Sequence, residues 1–154
     1  MGTRTISAAL ILGAGLLLAP TAASAKRGPA RVTVVHVIEH ADTDVTIDTG
    51  APGDTTGDLL TFHNLLYDKK DRKVVGRDQG YCIRISPQDG SYECNWTAFL
   101  AGGQITVEGP FLDNAGSTLA ITGGTGRYRR ARGEMELRSR ENGTKFDFIY
   151  RIAR

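Results

Sequence analysis

Cysteine, histidine and tryptophan are scarce in this chain: two, three and one of 154 residues. Two sulfurs exclude a four-cysteine zinc site, and the imidazoles do not make up the deficit. His36 and His40 lie four apart in a β-branched run, about 13 Å from each other if that run is extended, too far to share an ion. Asp42, Asp44, Asp48, Asp54 and Asp58 crowd one segment, yet the glycine and closing glutamate of a calcium-binding loop are misplaced. No metal ligands are therefore assigned. A G-x-S-x-G elbow is missing, and with it the usual sign of α/β-hydrolase chemistry. "GGTGRYRR" (123–130) has glycines but lacks the lysine, hydroxyl and following helix of a phosphate loop. Charge of one sign is lacking too. Nineteen Lys and Arg stand against 17 Asp and Glu, a net charge of +2, which predicts no general affinity for nucleic acid or an anionic membrane.

What is present begins with an export signature. Arg4, an apolar run from Ala8 to Leu18, the breaker Pro20 and Ala23-Ser24-Ala25 follow one another in the first 25 residues, as in a secretory signal peptide. This predicts a signal peptide over 1–25, cleavage near Ala25 and a secreted product, 26–154, folded as one domain. The apolar run is about ten residues, half of what a membrane-spanning helix needs, and no later run is longer. No membrane span is expected.

Beyond a short leader the chain reads as strands. "RVTVVHVIE" (31–39), "DLLTFHNLLYD" (58–68), "GYCIRIS" (80–86), "SYECNWTAFL" (91–100), "GQITVEGPFL" (103–112), "STLAITG" (117–123), "GEMELRSR" (133–140) and "TKFDFIYRI" (144–152) are β-rich runs divided by turn residues. "VTI" (45–47) inside the long polar connection is a candidate short strand. Such spacing predicts an antiparallel barrel or sandwich, and closure into a barrel removes the exposed edges a sandwich must protect.

The hairpin around "SPQDGS" gives a register. If Ser86 opposes Gly90 across a three-residue turn, Arg84 pairs with Tyr92 and Cys82 with Cys94, which puts both sulfurs on one face at bonding distance. Export favours a Cys82–Cys94 disulfide; two free thiols in the lumen are the alternative. Glu39, Asn64 and Arg84 are polar residues among apolar strands. Each either points into the barrel with a partner or sits at its rim.

"GDLLTFHNLLYD", "VVGRDQGYC", "GQITVEGPFL" and "TLAITGGTGRYRRARGEMEL" occur in an order that resembles the plant allene oxide cyclase family. "GRDQG" and "GGTGRYRRARG" also resemble stretches of dirigent proteins. The resemblance implies an eight-stranded antiparallel β-barrel, often trimeric, whose lumen binds a small hydrophobic molecule and guides ring closure or coupling without a cofactor. It makes the glycine–arginine stretch a strand connection. Asn64 matches the lumen asparagine of the cyclases and Cys82 a lumen cysteine. The family's first-strand glutamate, however, falls on Val37, its neighbouring asparagine on Glu39, and its tyrosine after Gly-Pro on Phe111. These departures argue against allene oxide cyclase activity itself, and the dirigent acids are not matched either.

The sequence thus predicts a secreted barrel binding a small hydrophobic or aromatic molecule, as a cofactor-free cyclase or isomerase. Glu39 and Asn64 are the candidate catalytic pair, and Phe62, Trp96 and Phe111 the candidate ligand-binding walls. The rival is a non-catalytic carrier or envelope protein with a filled barrel. A homotrimer or other homo-oligomer is a further expectation, with Val34, His36 and Ile38 as outward residues.

Overall fold

The computed structural model describes Gly2 and residues 31–153. Apart from Gly2, the expected signal peptide and its cleavage site lie outside the described residues. Ten strands follow in chain order: β1 (Val32–His40), β2 (Val45–Ile47), β3 (Leu59–Phe62), β4 (Leu65–Asp68), β5 (Val74–Ser86), β6 (Ser91–Leu100), β7 (Gly103–Leu112), β8 (Ser117–Gly124), β9 (Arg132–Arg140) and β10 (Lys145–Ala153). Among the described residues no helix is long and apolar enough to cross a membrane.

All the pairings are antiparallel, and β5 against β6 closes the sheet on itself. Two staves are broken. β1 pairs with β4 while β2 pairs with β3, so β1 and β2 make one interrupted stave and β3 and β4 the next. Counted as staves, this is a closed eight-stranded antiparallel barrel. The run expected as one strand over 58–68 divides at His63 and Asn64, and "VTI" is β2. β5 begins at Val74 rather than Gly80, because pairing with Tyr67 and Leu66 on one side and Leu100 on the other overrides the local polarity of Arg77, Asp78 and Gln79.

Alternation fills the lumen. Val37, Leu66, Val107, Met135, Phe148 and Tyr150 are all buried in one apolar cluster. At the base, a 3-10 turn, Gly126–Tyr128, brings Tyr128 into the same cluster and closes that end. Mid-barrel, Gly80 faces Trp96: a Cβ added to Gly80 would lie 2.2 Å from Trp96 Cβ and 2.6 Å from the Asn95 carbonyl oxygen. The absent side chain lets β5 approach β6 and leaves the lumen to the indole.

Cys82 and Cys94 are register partners with Cα atoms 4.0 Å apart, and they form a disulfide. Arg84 pairs with Tyr92 as expected, but the turn differs. Ser86 opposes Ser91 across a bulge, so Pro87–Gly90 is a four-residue turn. Gly90 takes φ +60° there and is inside the turn rather than opposite Ser86.

Outside, Val34 is exposed, His36 bonds Asp147 at 2.7 Å and Ile38 is buried. Val45, Ile47, Tyr81, Ile83 and Ile85 are exposed apolar residues on β2 and β5, which flank β3.

Replacing Gly80 by alanine forces the two strands apart and is expected to cost about 2 kcal/mol, as overpacking does. Urea denaturation at neutral pH checks this; an unchanged midpoint would mean that the strand approach is not set by Gly80.

Candidate functional site

Alternation carries Val37 and Glu39 of β1, Leu60 and Phe62 of β3, Cys82 of β5 and Phe146 and Phe148 of β10 toward the lumen. A cavity runs inward from the mouth, lined by Phe62, Trp96, Phe111, Phe146, Phe148 and the disulfide, with Glu39 and Asp44 as its acidic groups. The space open to the centre of a water molecule is ≈ 40 Å³, room for about three waters. Trp96 meets Phe62 edge-on at 6.0 Å and Phe148 at 5.4 Å, and Phe111 meets Phe146 edge-on at 5.8 Å. Phe111 and Phe146 are half-buried at the mouth, whereas Trp96 and Phe148 are buried.

Asn64 does not line this cavity. It stands behind the wall, 1% exposed, at the break between β3 and β4. Its Nδ2 donates to Glu39 Oε1 and Asp44 Oδ1, each at 2.8 Å. Its Oδ1 accepts from the Thr43 amide at 3.0 Å and the Thr43 hydroxyl at 2.8 Å. Its own amide donates to Asp78 Oδ1 at 3.1 Å, and its carbonyl accepts from the Asp78 amide at 2.9 Å. Every donor and acceptor of the carboxamide is engaged within the protein. Asn64 therefore positions Glu39 and is not itself a ligand contact.

Asp78 is the residue that sequence reading passed over. Counting by twos from Cys82 along β5 puts it on the lumen face, and it is fully buried. Glu39 and Asp78 are both buried and meet at Asn64, the first through its side chain and the second through its backbone amide. Burial, then the charge of Asp78, raises Glu39 well above the usual carboxylate range, against the opposing hydrogen bond from Asn64. Burial likewise raises Asp78 to about 7. Asp44, exposed at the mouth, is raised by partial desolvation. Asp78 Oδ2, Trp96 Nε1 and Tyr150 Oη have no hydrogen-bond partner among the described residues. Tyr150 feels the charges of both Asp78 and Glu39, and burial raises its phenol well above the ordinary value.

Arg84 is buried at the rim, not paired with Glu39. Its Nε and Nη2 donate to Asp54 at 2.7 and 2.9 Å, its Nη1 donates to Asp113 at 2.7 Å, and its guanidinium lies 3.8 Å above the Tyr92 ring. The aspartate-rich connection is thus partly structural. Asp58 is buried and accepts from the Thr49 and Thr55 amides, which hold its carboxyl below the usual range. His40 Nε2 donates to Asp71 Oδ1 at 2.6 Å, and its ring stacks on Tyr67. Among the described residues no group of three or more His, Cys, Asp or Glu is placed to hold a metal ion.

Residues 29–152 match the family model described as allene oxide cyclase. Of solved structures, a pyocyanin demethylase is similar at 30% identity, over 75% of this chain and 98% of that one, with a TM-score of 0.65. An exo-specific intermolecular Diels-Alderase matches at 18% identity, over 82% of this chain and 100% of the other, with a TM-score of 0.68. A pterocarpan synthase dirigent protein matches at 19% identity, over 83% and 86%, with a TM-score of 0.65. The last two likenesses show the shared fold.

A raised carboxyl makes stability pH-dependent with a definite sign. Between the ordinary carboxylate range and about 7, the folded protein keeps a proton on Asp78 that the unfolded chain has released, so stability falls as pH rises through that window. Asp78→Asn keeps an oxygen for the Asn64 amide and removes the titration. The expected outcome is a shallower decline of the urea midpoint between about pH 4 and pH 7 than in the parent; parallel profiles would refute the raised Asp78 carboxyl.

Proposed function

The chain belongs to the allene oxide cyclase family, and from that premise we propose that its lumen binds a small hydrophobic or aromatic molecule and rearranges it as a cofactor-free cyclase or isomerase. The observation that carries this reading is the buried acid pair, Glu39 and Asp78, held by Asn64 beside an aromatic cavity. Glu39 is the buried acidic group that lines the cavity, and burial favours its protonated form. It lends that proton to an oxygen or nitrogen of the ligand as negative charge develops there, and recovers it when the ring or double bond has moved. Asp78 sets how readily the proton leaves. Asn64 fixes the carboxyl in place, while Phe62, Trp96 and Phe111 orient the ligand and exclude water. The pyocyanin demethylase and Diels-Alderase likenesses support an enzyme acting on a small molecule. Neither assigns a substrate here.

A second reading is favoured by one number. A lumen with ≈ 40 Å³ of free space suits a filled, non-catalytic barrel, unless Phe111 and Phe146 swing outward to admit a guest. The export reading joins either alternative: the signal-like segment and the Cys82–Cys94 disulfide support a secreted protein. The exposed apolar residues of β2 and β5 support self-association.

Titration of the oxidised protein with fatty-acid epoxides, phenolics and polyketide-like compounds, followed by Trp96 fluorescence, tests the site. Saturable quenching is expected. Glu39→Gln should retain binding within about threefold but lower turnover by about two orders of magnitude, the scale of a general acid. Asn64→Ala should weaken both. Silence across the panel would favour the filled barrel.

The quaternary expectation has its own check. Tyr81→Glu with Ile83→Lys should shift the species seen by analytical ultracentrifugation to monomer; a parent protein that is already monomeric would end that part of the proposal.

A further inference from the structure

The barrel has a concavity roomier than its lumen cavity. A groove of ≈ 530 Å³ lies at the closed base, lined by Arg127, Arg129, Arg130 and Arg132 over a floor of Tyr128, Ala131, Ile152 and Ala153. All four arginines are exposed. No carboxylate among the described residues lies within ion-pair distance of any of them. Four positive charges in six residues are costly to hold together and weakly useful to a strand connection, which needs only its glycines and Tyr128.

The backbone that presents them is fixed. Gly126 takes φ +56°, and a Cβ there would meet the Gly102 carbonyl oxygen at 2.3 Å. Arg127 donates its amide to that same oxygen at 2.8 Å, and the amides of Tyr128, Arg129 and Ala131 close successive turns on Thr125, Gly126 and Tyr128. Two of the side chains are held as well. The Arg127 guanidinium lies 5.5 Å from the Tyr128 ring centre, and Arg132 donates Nη1 to the Ala131 carbonyl at 2.7 Å. Arg129 and Arg130 stand free beside them on a braced turn, not on a loose loop. A guanidinium donates two parallel hydrogen bonds to an oxyanion, and several in one groove favour a ligand with more than one negative charge.

We propose that this groove is a second ligand site, for a dianionic phosphoryl group. It works through side-chain forks and not through the backbone cradle of a phosphate loop. It lies at the end of the barrel away from the Asp42–Asp58 segment and the cavity mouth, so it is independent of the chemistry proposed for the lumen. The group belongs either to a soluble phosphate monoester or to a lipid headgroup.

Amide NMR of the full folded chain, titrated with inorganic phosphate against sodium chloride of equal ionic strength, tests the site. Saturable shifts are expected at Arg127–Gly133 in the parent and in Glu39→Gln alike. Arg129→Ser with Arg130→Ser, both exposed and so neutral to folding, should weaken the affinity at least about tenfold. Sedimentation with phosphatidylcholine vesicles, with and without phosphatidic acid, then separates the sources. Retention by the acidic vesicles, lost in the double variant, identifies a headgroup; phosphate binding without retention identifies a soluble ligand. Shifts no larger than those from chloride, or undiminished in the double variant, overturn the proposal.

Discussion

The Asn64 carboxamide is the fixed point of the site. Two staves of the barrel are interrupted near it, and an interrupted stave leaves backbone and side-chain polar groups without ladder partners. One side chain gathers them: Thr43 from the β1–β2 connection, Glu39 from β1, and Asp44 at the mouth. Its backbone adds Asp78 from β5. An aspartate in its place would crowd a fourth acid among Glu39, Asp44 and Asp78 and lose the two donors, and a leucine would strand every partner. A planar group with two donors and two accepting lone pairs is what this junction requires. The bend at β3–β4, the inward aim of Glu39 and the closeness of Asp78 are therefore one structural fact.

Around that junction the barrel keeps its acids in two different ways. Glu39 and Asp78 have no cation beside them among the described residues, and burial favours their protonated forms. Asp54 and Asp113, at the rim, share Arg84. The arginine thereby ties the Asp48–Asp58 loop to the β7–β8 turn and rests on Tyr92, so the wall near the disulfide is braced from outside while the apolar interior stays uncharged. Desolvation suppresses charge inside the lumen, and pairing preserves it at the rim, where the fold needs a clasp.

Much of this was legible in the sequence. The eight β-rich runs, the pairing of Cys82 with Cys94 and of Arg84 with Tyr92, and the apolar alternation of "KFDFIYRI" all follow from period-two patterns that the barrel obeys. Glu39, Phe62, Trp96 and Phe111 sit along the cavity because the same alternation aims them there. What escaped has physical reasons. The break at Asn64 and the extension of β5 to Val74 depend on partners far away in the chain. Asp78 hid between Arg77 and Gln79, where a polar triplet resembles a turn until the count from Cys82 is carried back through Gly80. The aspartates of the long connection look solvated because their partners, Arg84 and the Thr49 and Thr55 amides, are set by folding. The bulge after Arg84 added a turn residue that pattern alone does not count.

Tyr128 gives the barrel a floor, and a tube with a floor has one doorway. On the proposed function, a guest that enters past Phe111 and Phe146 backs out along the same path, and a product still inside blocks the next arrival. Two guests would stack, the first against Trp96 and Phe148 and its partner nearer the mouth. On that reading traffic is a queue, with its order written by the closed end.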